Sequence, residues 1–143
     1  MKKEDKELLL KDLSARTPYK VVAQVTYKDS EGWKTGDRKV LGVYTDGQVY
    51  VDCVYTNIEN VKPYLRPMSS MTEEEFLEYR DIKYSKVTYR KNWKRFDVGK
   101  FHNVGIIPIE EYLDWLNGHH FDYRGLIERG LVLEAPEEMY DKE

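Results

Sequence analysis

The sequence has little of what marks disulfide frameworks, flexible linkers or membrane spans. Its 143 residues include one cysteine, nine glycines and five prolines. The lone Cys53 has no second cysteine in the chain to pair with, which favours a reducing compartment, and we expect a cytoplasmic protein. No run approaches the roughly 18 consecutive apolar residues of a membrane span. No apolar stretch follows the charged start of the chain, so neither a secretory signal nor a membrane partner is expected.

A strong excess of one charge is also missing. The chain carries 23 basic and 26 acidic residues, a formal net charge of −3, which argues against a surface devoted as a whole to polyanions. Hydrophobic residues make up 41% and aromatic residues 13%, and this composition excludes an intrinsically disordered chain. The length is typical of one domain, and we predict a single domain over 1–143.

Residues 20–66 read as a β-rich block, because β-branched and aromatic residues alternate with polar ones. Asp46-Gly47 between two such runs predicts a hairpin with a type I′ turn. The run after this turn places four residues on one face, which we expect to face the core: Val49, Val51, Cys53 and Tyr55. Cys53 is accordingly interpreted as a small buried residue and not as a nucleophile.

Helical signals flank this block. Leucines three and four apart predict an amphipathic first helix, and Thr72-Glu73-Glu74-Glu75 forms a capping box. The predicted helices span 4–15, 73–82, 108–117 and 123–129, and the acidic tail 134–143 is expected to be frayed. The sequence therefore predicts an α+β fold: an N-terminal helix, an antiparallel sheet of three to five strands (a meander or a small open barrel) and a helical C-terminal third.

Three stretches carry a resemblance to a known family. They are LLLKDL at 8–13 with the residues up to 19, KPYLRPMSSMTEE at 62–74, and DWLNGHHFDYRGLIERG at 114–130. With them the chain resembles a family of short proteins from bacteriophages and mobile elements of intestinal anaerobic bacteria. The family has no established activity. The resemblance therefore implies an accessory gene product that acts on a host or phage component, and it transfers no site residue.

Residues 83–101 form a basic-aromatic segment, with seven lysines and arginines, five aromatic residues and one acid, Asp97. We interpret it as a surface that binds a host or phage protein, since Trp, Tyr and Arg are typical of binding hot spots. The expected contacts are Arg90, Trp93, Lys94 and Arg95. Cations that neutralise phosphates beside rings that stack on bases also suit single-stranded nucleic acid, which is the alternative partner. A purely structural alternative is an amphipathic hairpin with its rings in the core.

A second polar cluster contains His119, His120, Asp122 and Arg124. Histidine with a carboxylate can form an acid/base pair or part of a metal site, and Arg124 could hold a phosphate, so a nucleotide- or metal-binding protein or a hydrolase is a further alternative. The spacing matches no metal-binding motif. The competing interpretation is a rigid corner in which Gly118 ends one helix, Asp122 caps the next and Arg124 pairs with an acid.

The sequence contains no catalytic motif. It has no phosphate-binding glycine loop followed by Lys-Ser or Lys-Thr and no Gly-x-Ser-x-Gly elbow. We therefore predict no catalytic residue, metal or cofactor, and the leading hypothesis is a non-catalytic binding protein.

Overall fold

The computed structural model describes residues 1–52, 54–80 and 109–140. Cys53 and the basic-aromatic segment, with its expected contacts Arg90, Trp93, Lys94 and Arg95, lie outside the described residues. By its internal contacts the chain divides into two compact units, Met1–Met68 with Asn117–Glu143, and Ser69–Leu116. The expectation of one domain over 1–143 stays a prediction.

The first unit has an α+β architecture in its described residues, as predicted. It contains a helix, α1 (Lys3–Arg16), and the strands β1 (Val22–Asp29), β2 (Gly32–Val43), β3 (Gln48–Val51), β4 (Val54–Asn57), β5 (Val61–Leu65) and β6 (Leu133–Glu134). They form one open sheet in the order β4-β3-β2-β1-β5-β6. All neighbours pair antiparallel except β5 and β6, which are parallel.

The sheet has six strands among the described residues, one more than the predicted three to five. The sequence after the Gly47 turn looks like one continuous strand, but the chain reverses within it and forms two. Asp52 has a φ of 34°, and Val51 lies opposite Val54 across a tight hairpin. The reversal resets the alternation of side chains. Val49 and Val51 face the core as expected, but Tyr55 is 57% exposed, so its assignment to the core face was wrong.

The hairpin between β2 and β3 forms where Asp46-Gly47 predicts it, but with a different turn. The Tyr44 N–H donates to the Gln48 carbonyl at 2.8 Å and the Gly47 N–H donates to the Tyr44 carbonyl at 3.0 Å. Only Gly47 of this loop has a positive φ, of 92°. This is the pattern of a type I turn followed by a left-handed glycine and not of type I′, which needs two positive φ values.

The core of the first unit lies between α1 and one face of the sheet. Leu9 and Leu13, four residues apart on α1, are completely buried because this spacing places them on one side of the helix. The residue before β1, the sheet and the 3₁₀ turn before β5 contribute to the same cluster Val21, Ala23, Val25, Val40, Val49, Val51, Ile58, Val61 and Leu65. The opposite face of the sheet carries the side chains of the alternate residues.

The chain after 118 does not form the predicted helix over 123–129. Residues 123–130 form successive turns with Gly125 and Gly130 at φ 73° and 74°. A left-handed residue in the middle of the run interrupts the helical backbone. Among the described residues of the C-terminal third, a helix spans Ile109–Gly118, as predicted for 108–117; it is α3, and α2 is the helix over 73–80.

The acidic tail is not frayed up to residue 140. Glu134 belongs to β6, and the Ala135 N–H donates to the Leu65 carbonyl at 2.8 Å. The Tyr140 hydroxyl donates to the Tyr64 carbonyl at 2.8 Å and accepts from the Val22 N–H at 3.0 Å. The Tyr140 side chain thus connects the tail to the start of β1 and to the end of β5.

The second unit begins with a helix, α2, described over 73–80. The predicted capping box is present: the Glu75 N–H donates to Thr72 Oγ1 at 3.1 Å, and the Thr72 N–H donates to Glu75 Oε1 at 3.0 Å. Within the same unit Trp115 Nε1 donates to Glu78 Oε1 at 2.9 Å, and Tyr79 lies beside the Trp115 ring with centroids 5.5 Å apart. These contacts join α2 to the part of α3 that belongs to this unit.

The Gly47 backbone provides a test of the hairpin. Gly47→Ala puts a side chain at a φ of 92° and 3.1 Å from Lys6 Cε, and we expect it to lower the free energy of unfolding by about 1 kcal/mol or more. Gly36→Ala is the matched control, because no atom lies within 4 Å of an added Cβ there and its φ is ordinary. Urea unfolding of both variants makes the comparison, and equal stability of the two would contradict the assignment.

Candidate functional site

A completely buried ion pair joins α1 to the C-terminal segment of the first unit. Arg16 and Asp12 lie four residues apart on α1, and neither has exposed surface. Arg16 Nε donates to Asp12 Oδ2 at 2.7 Å and Nη2 donates to Oδ1 at 3.2 Å. The same Nη2 donates to the Phe121 carbonyl at 2.7 Å. The pair therefore also holds the corner that contains the predicted histidine cluster.

Asp12 binds a second guanidinium, that of the candidate residue Arg124. Arg124 Nε donates to Asp12 Oδ1 at 3.0 Å, which is the pairing with an acid that the corner interpretation expects. The guanidinium carbons of Arg16 and Arg124 lie 5.1 and 5.2 Å from the ring centre of Tyr123. Two cations share one carboxylate, so this group of side chains has a net positive charge.

Backbone hydrogen bonds fix the corner to the end of β5. The Arg66 N–H donates to the His120 carbonyl at 2.7 Å, and the Asp122 N–H donates to the Arg66 carbonyl at 2.8 Å. His120 has a left-handed φ of 65° and is the residue that turns the chain after α3. Gly118 was expected in that role. Gly118 is instead the last residue of α3 and lies against the Tyr19 ring, 3.4 Å from where a Cβ would lie.

The candidate carboxylate of Asp122 is used within the corner. Its Oδ1 accepts the Leu126 N–H at 2.8 Å and its Oδ2 accepts the Ile127 N–H at 2.9 Å. The predicted capping role is therefore performed on a turn and not on a helix. Asp122 and Arg124 point to different partners, and they do not converge with the histidines on one ligand position.

His120 is buried in a setting that disfavours its charged form. Its ring stacks on the Tyr140 ring with centroids 3.6 Å apart and an angle of 17°. Burial, and secondarily the positive charge of Arg16, lower the pKa of His120 to about 4. Its Nδ1 is buried without a hydrogen-bond partner. His119, the preceding candidate, is partly buried.

A cavity of about 170 Å³ opens beside His120 at the start of β1; we call it the β1 cavity. Its polar wall consists of Lys20, Lys39, His120 and Tyr140, and Tyr19, Val22 and Met139 complete the lining. Burial raises the pKa of Tyr140 to about 12, so this phenol stays protonated. The wall thus combines two ammonium groups with a neutral imidazole.

A second surface lies on the outer face of β2, β3 and β4. The rings of Tyr44 and Tyr50 lie 5.9 and 4.8 Å from that of Tyr55, and Leu41 is 56% exposed at a register shift in β2. We call Leu41, Tyr44, Tyr50 and Tyr55 the tyrosine patch. Tyr50 lies opposite Gly42, which has no side chain to pack beside it on that face, and Tyr50 is partly exposed.

Sequence reasoning missed the residues that organise this unit. Asp12 and Arg16 have the spacing of an ordinary surface ion pair, and nothing in the helix pattern shows that they are buried. Tyr140 was assigned to a frayed tail, and Lys20 and Lys39 are single lysines in a β-rich block. A usable signal was the pairing of Asp12 with Arg16 on the leucine-bearing side of the helix, since charges on that side need partners.

The buried carboxylate predicts a large loss of stability when it is removed. Asp12→Asn leaves Arg16 as a buried charge without its counterion, and we expect the free energy of unfolding to fall by about 3–5 kcal/mol. Asp5→Asn is the matched control, because Asp5 on the same helix pairs with the exposed Arg129 at 3.1 Å, and such surface pairs contribute about 1 kcal/mol or less. Urea unfolding measures both, and equal losses would contradict the central role of Asp12.

The low pKa of His120 predicts acid destabilisation. The folded state binds the proton more weakly than the unfolded chain, so the contribution of neutral His120 is complete above pH 6.5 and is lost as the pH falls towards about 4. We expect the imidazole signal in NMR to titrate with a midpoint near 4, and His120→Asn, which tolerates the left-handed backbone, to weaken the dependence of stability on pH in this window. A midpoint near 6.5 would contradict this description of the site.

Neither the arrangement of potential metal ligands nor the comparison with known proteins assigns a function. In the part of the chain that the structure describes, no three His, Cys, Asp or Glu side chains come together where they could hold a metal ion. No helix among those residues has the length and apolar character to cross a membrane. No protein-family model, curated protein or solved structure matches this chain.

Proposed function

We propose that this chain is a non-catalytic binding protein of a phage or mobile element, which engages a host or phage protein in the bacterial cytoplasm. The observation that supports it is the tyrosine patch. Tyr55, Leu41 and Tyr44 are 57%, 56% and 48% exposed. Clustered exposed apolar groups of this kind are typical of binding surfaces, and tyrosine is enriched at their centres.

The patch is held in place before any partner binds. Tyr50 and Tyr55 are direct partners in the β3–β4 hairpin, and Tyr44 precedes the hydrogen-bonded turn at Gly47. The interaction between the hydroxyls of Tyr44 and Tyr55 raises the pKa of Tyr44 above its ordinary value, which keeps the phenol neutral. Rings fixed by a strand pair lose little conformational entropy on binding.

The chemistry of the patch favours a protein over a nucleic acid. Its four members are uncharged, and the next pair on the same face, Gln48 opposite Asn57, consists of neutral amides. Binding to a polyanion requires cations close to the stacking rings. The charge beside the patch that acts on Tyr44 is negative, that of Asp46, which disfavours a polyanion. A hydrophobic centre with a polar rim is instead the composition of protein interfaces.

The basic-aromatic segment remains the second proposed contact with the partner, through Arg90, Trp93, Lys94 and Arg95. Its charge also keeps single-stranded nucleic acid as the alternative partner for this segment. The third hypothesis, a ligand-binding or hydrolytic site on the histidine cluster, has less support, because Asp122 and Arg124 are engaged by backbone amides and by Asp12.

A binding experiment tests the patch. The full chain captures its partner from lysate of the bacterial host, and calorimetry with the purified partner then measures affinity. We expect the double variant Tyr44→Ser/Tyr55→Ser to weaken binding by tenfold or more, with little dependence on salt. Trp33→Ser is the matched control, because Trp33 is 64% exposed on the same sheet but outside the patch.

Three outcomes distinguish the hypotheses. Unchanged affinity of the double variant would exclude the patch as the contact. A loss confined to Trp93→Ala would assign binding to the basic-aromatic segment alone. Capture of nucleic acid with a steep salt dependence, reduced by Lys94→Ala or Arg95→Ala, would establish the alternative partner.

A further inference from the structure

The β1 cavity has unpaired positive charge in its wall. Lys20 and Lys39 are exposed at its rim, and among the described residues neither ammonium has an ion pair with a carboxylate. The nearest acid along β2 is Asp37, on the same face as Lys39, and it accepts a hydrogen bond from the Tyr64 hydroxyl at 2.8 Å. The negative charge of Asp37 acts on Tyr140 in the cavity wall, so two lysines stand against one carboxylate here. The rim therefore favours an anion.

The inner wall offers a polar group that the protein leaves without a partner. His120 is 8% exposed, lines the cavity, and has a buried Nδ1 with no hydrogen bond. Buried polar atoms without partners are rare in folded proteins, because each costs free energy. Because Nδ1 is itself closed off from solvent, a ligand in the cavity would contact the part of the imidazole ring that lines the wall.

The backbone of the wall is also unusual. Among the described residues, Lys20, Asp52 and His120 are the non-glycine residues with positive φ, and Lys20 and His120 both line this cavity. Left-handed backbone at such residues costs free energy and is found preferentially at binding sites. Here it places a lysine and a histidine on the wall of one small cavity.

We propose that the β1 cavity binds a phosphate group, either as free phosphate or as the monoester of a small molecule. Two lysines supply charge for a dianion, and lysine is a common point-charge ligand of phosphate. A volume of about 170 Å³ exceeds that of a few water molecules, each of which fills roughly 30 Å³ in the liquid, so it accommodates one tetrahedral anion. The site is separate from the tyrosine patch and does not depend on the proposed protein partner.

NMR titration of the full chain with inorganic phosphate tests the site, with sodium chloride added to the reference sample to equal ionic strength. We expect saturable shifts of the Lys20 and Lys39 amides and of the His120 ring, together with a higher titration midpoint of His120. A parallel titration with O-phosphoserine distinguishes a phosphate monoester from free phosphate. The compound that binds with the lower Kd shows which of the two the cavity prefers. Acetate should bind at least tenfold more weakly than either.

Variants separate binding from folding. Lys20→Gly removes an ammonium and relieves the left-handed backbone, so the fold should be retained while phosphate affinity falls tenfold or more. Lys39→Gln should have a similar effect. Lys62→Ala is the matched control, since Lys62 is an exposed lysine of the same sheet outside the cavity, and its affinity should equal that of the unaltered protein. Shifts equal to those with chloride, acetate binding as tight as phosphate, or full affinity in Lys20→Gly would overturn the proposal.

Discussion

The first unit depends on one buried carboxylate. Asp12 accepts hydrogen bonds from Arg16 on its own helix and from Arg124 near the end of the chain. Taking these charges out of water costs several kcal/mol for each ion, and their mutual attraction and hydrogen bonds offset that cost, although Arg16 Nη1 is buried without a partner. The position of the C-terminal segment is therefore coupled to that of α1, because neither guanidinium can keep its hydrogen bonds if the two separate.

This coupling explains how the C-terminal segment comes to complete the sheet. Arg16 holds the Phe121 carbonyl, and the segment that follows supplies β6 beside β5 and the hydroxyl of Tyr140 to the backbone of β1 and β5. Helix, corner and tail thus cover the inner face and one edge of the sheet. The outer face carries the tyrosine patch at one side and the β1 cavity near the start of β1, and these are the two surfaces proposed to bind a partner and a ligand.

Short sequence motifs predicted correctly those parts of the fold whose geometry depends only on residues close together in the sequence. The capping box at Thr72 and the hairpin at Gly47 are set by hydrogen bonds over three or four residues, and both are present. The signals failed where one residue changes the direction of the chain. Asp52 reverses a run that reads as a single strand, and Gly125 interrupts a run that reads as a helix.

The candidate site was less predictable because burial is a property of the whole fold. The sequence singled out His120, Asp122 and Arg124, and the structure places them in one corner, but their partners are Asp12, Tyr140 and backbone amides that are distant in sequence or without any motif. An acidic and a basic residue four positions apart give the same sequence pattern whether the folded protein exposes them to water or buries them in a hydrophobic core. The basic-aromatic segment was the stronger sequence signal, and the surfaces that the structure describes lie elsewhere.

The net charge of the Asp12 cluster also explains the electrostatics of the β1 cavity. Two guanidiniums against one carboxylate leave an uncompensated positive charge. Burial is the largest cause of the low pKa of His120, and the positive charge of Arg16 lowers it further. That same positive charge attracts an anion placed beside the ring. A neutral His120 can still donate one hydrogen bond, so the cavity acquires its preference for anions without a charged histidine and retains it across the pH range above about 4 in which His120 is neutral.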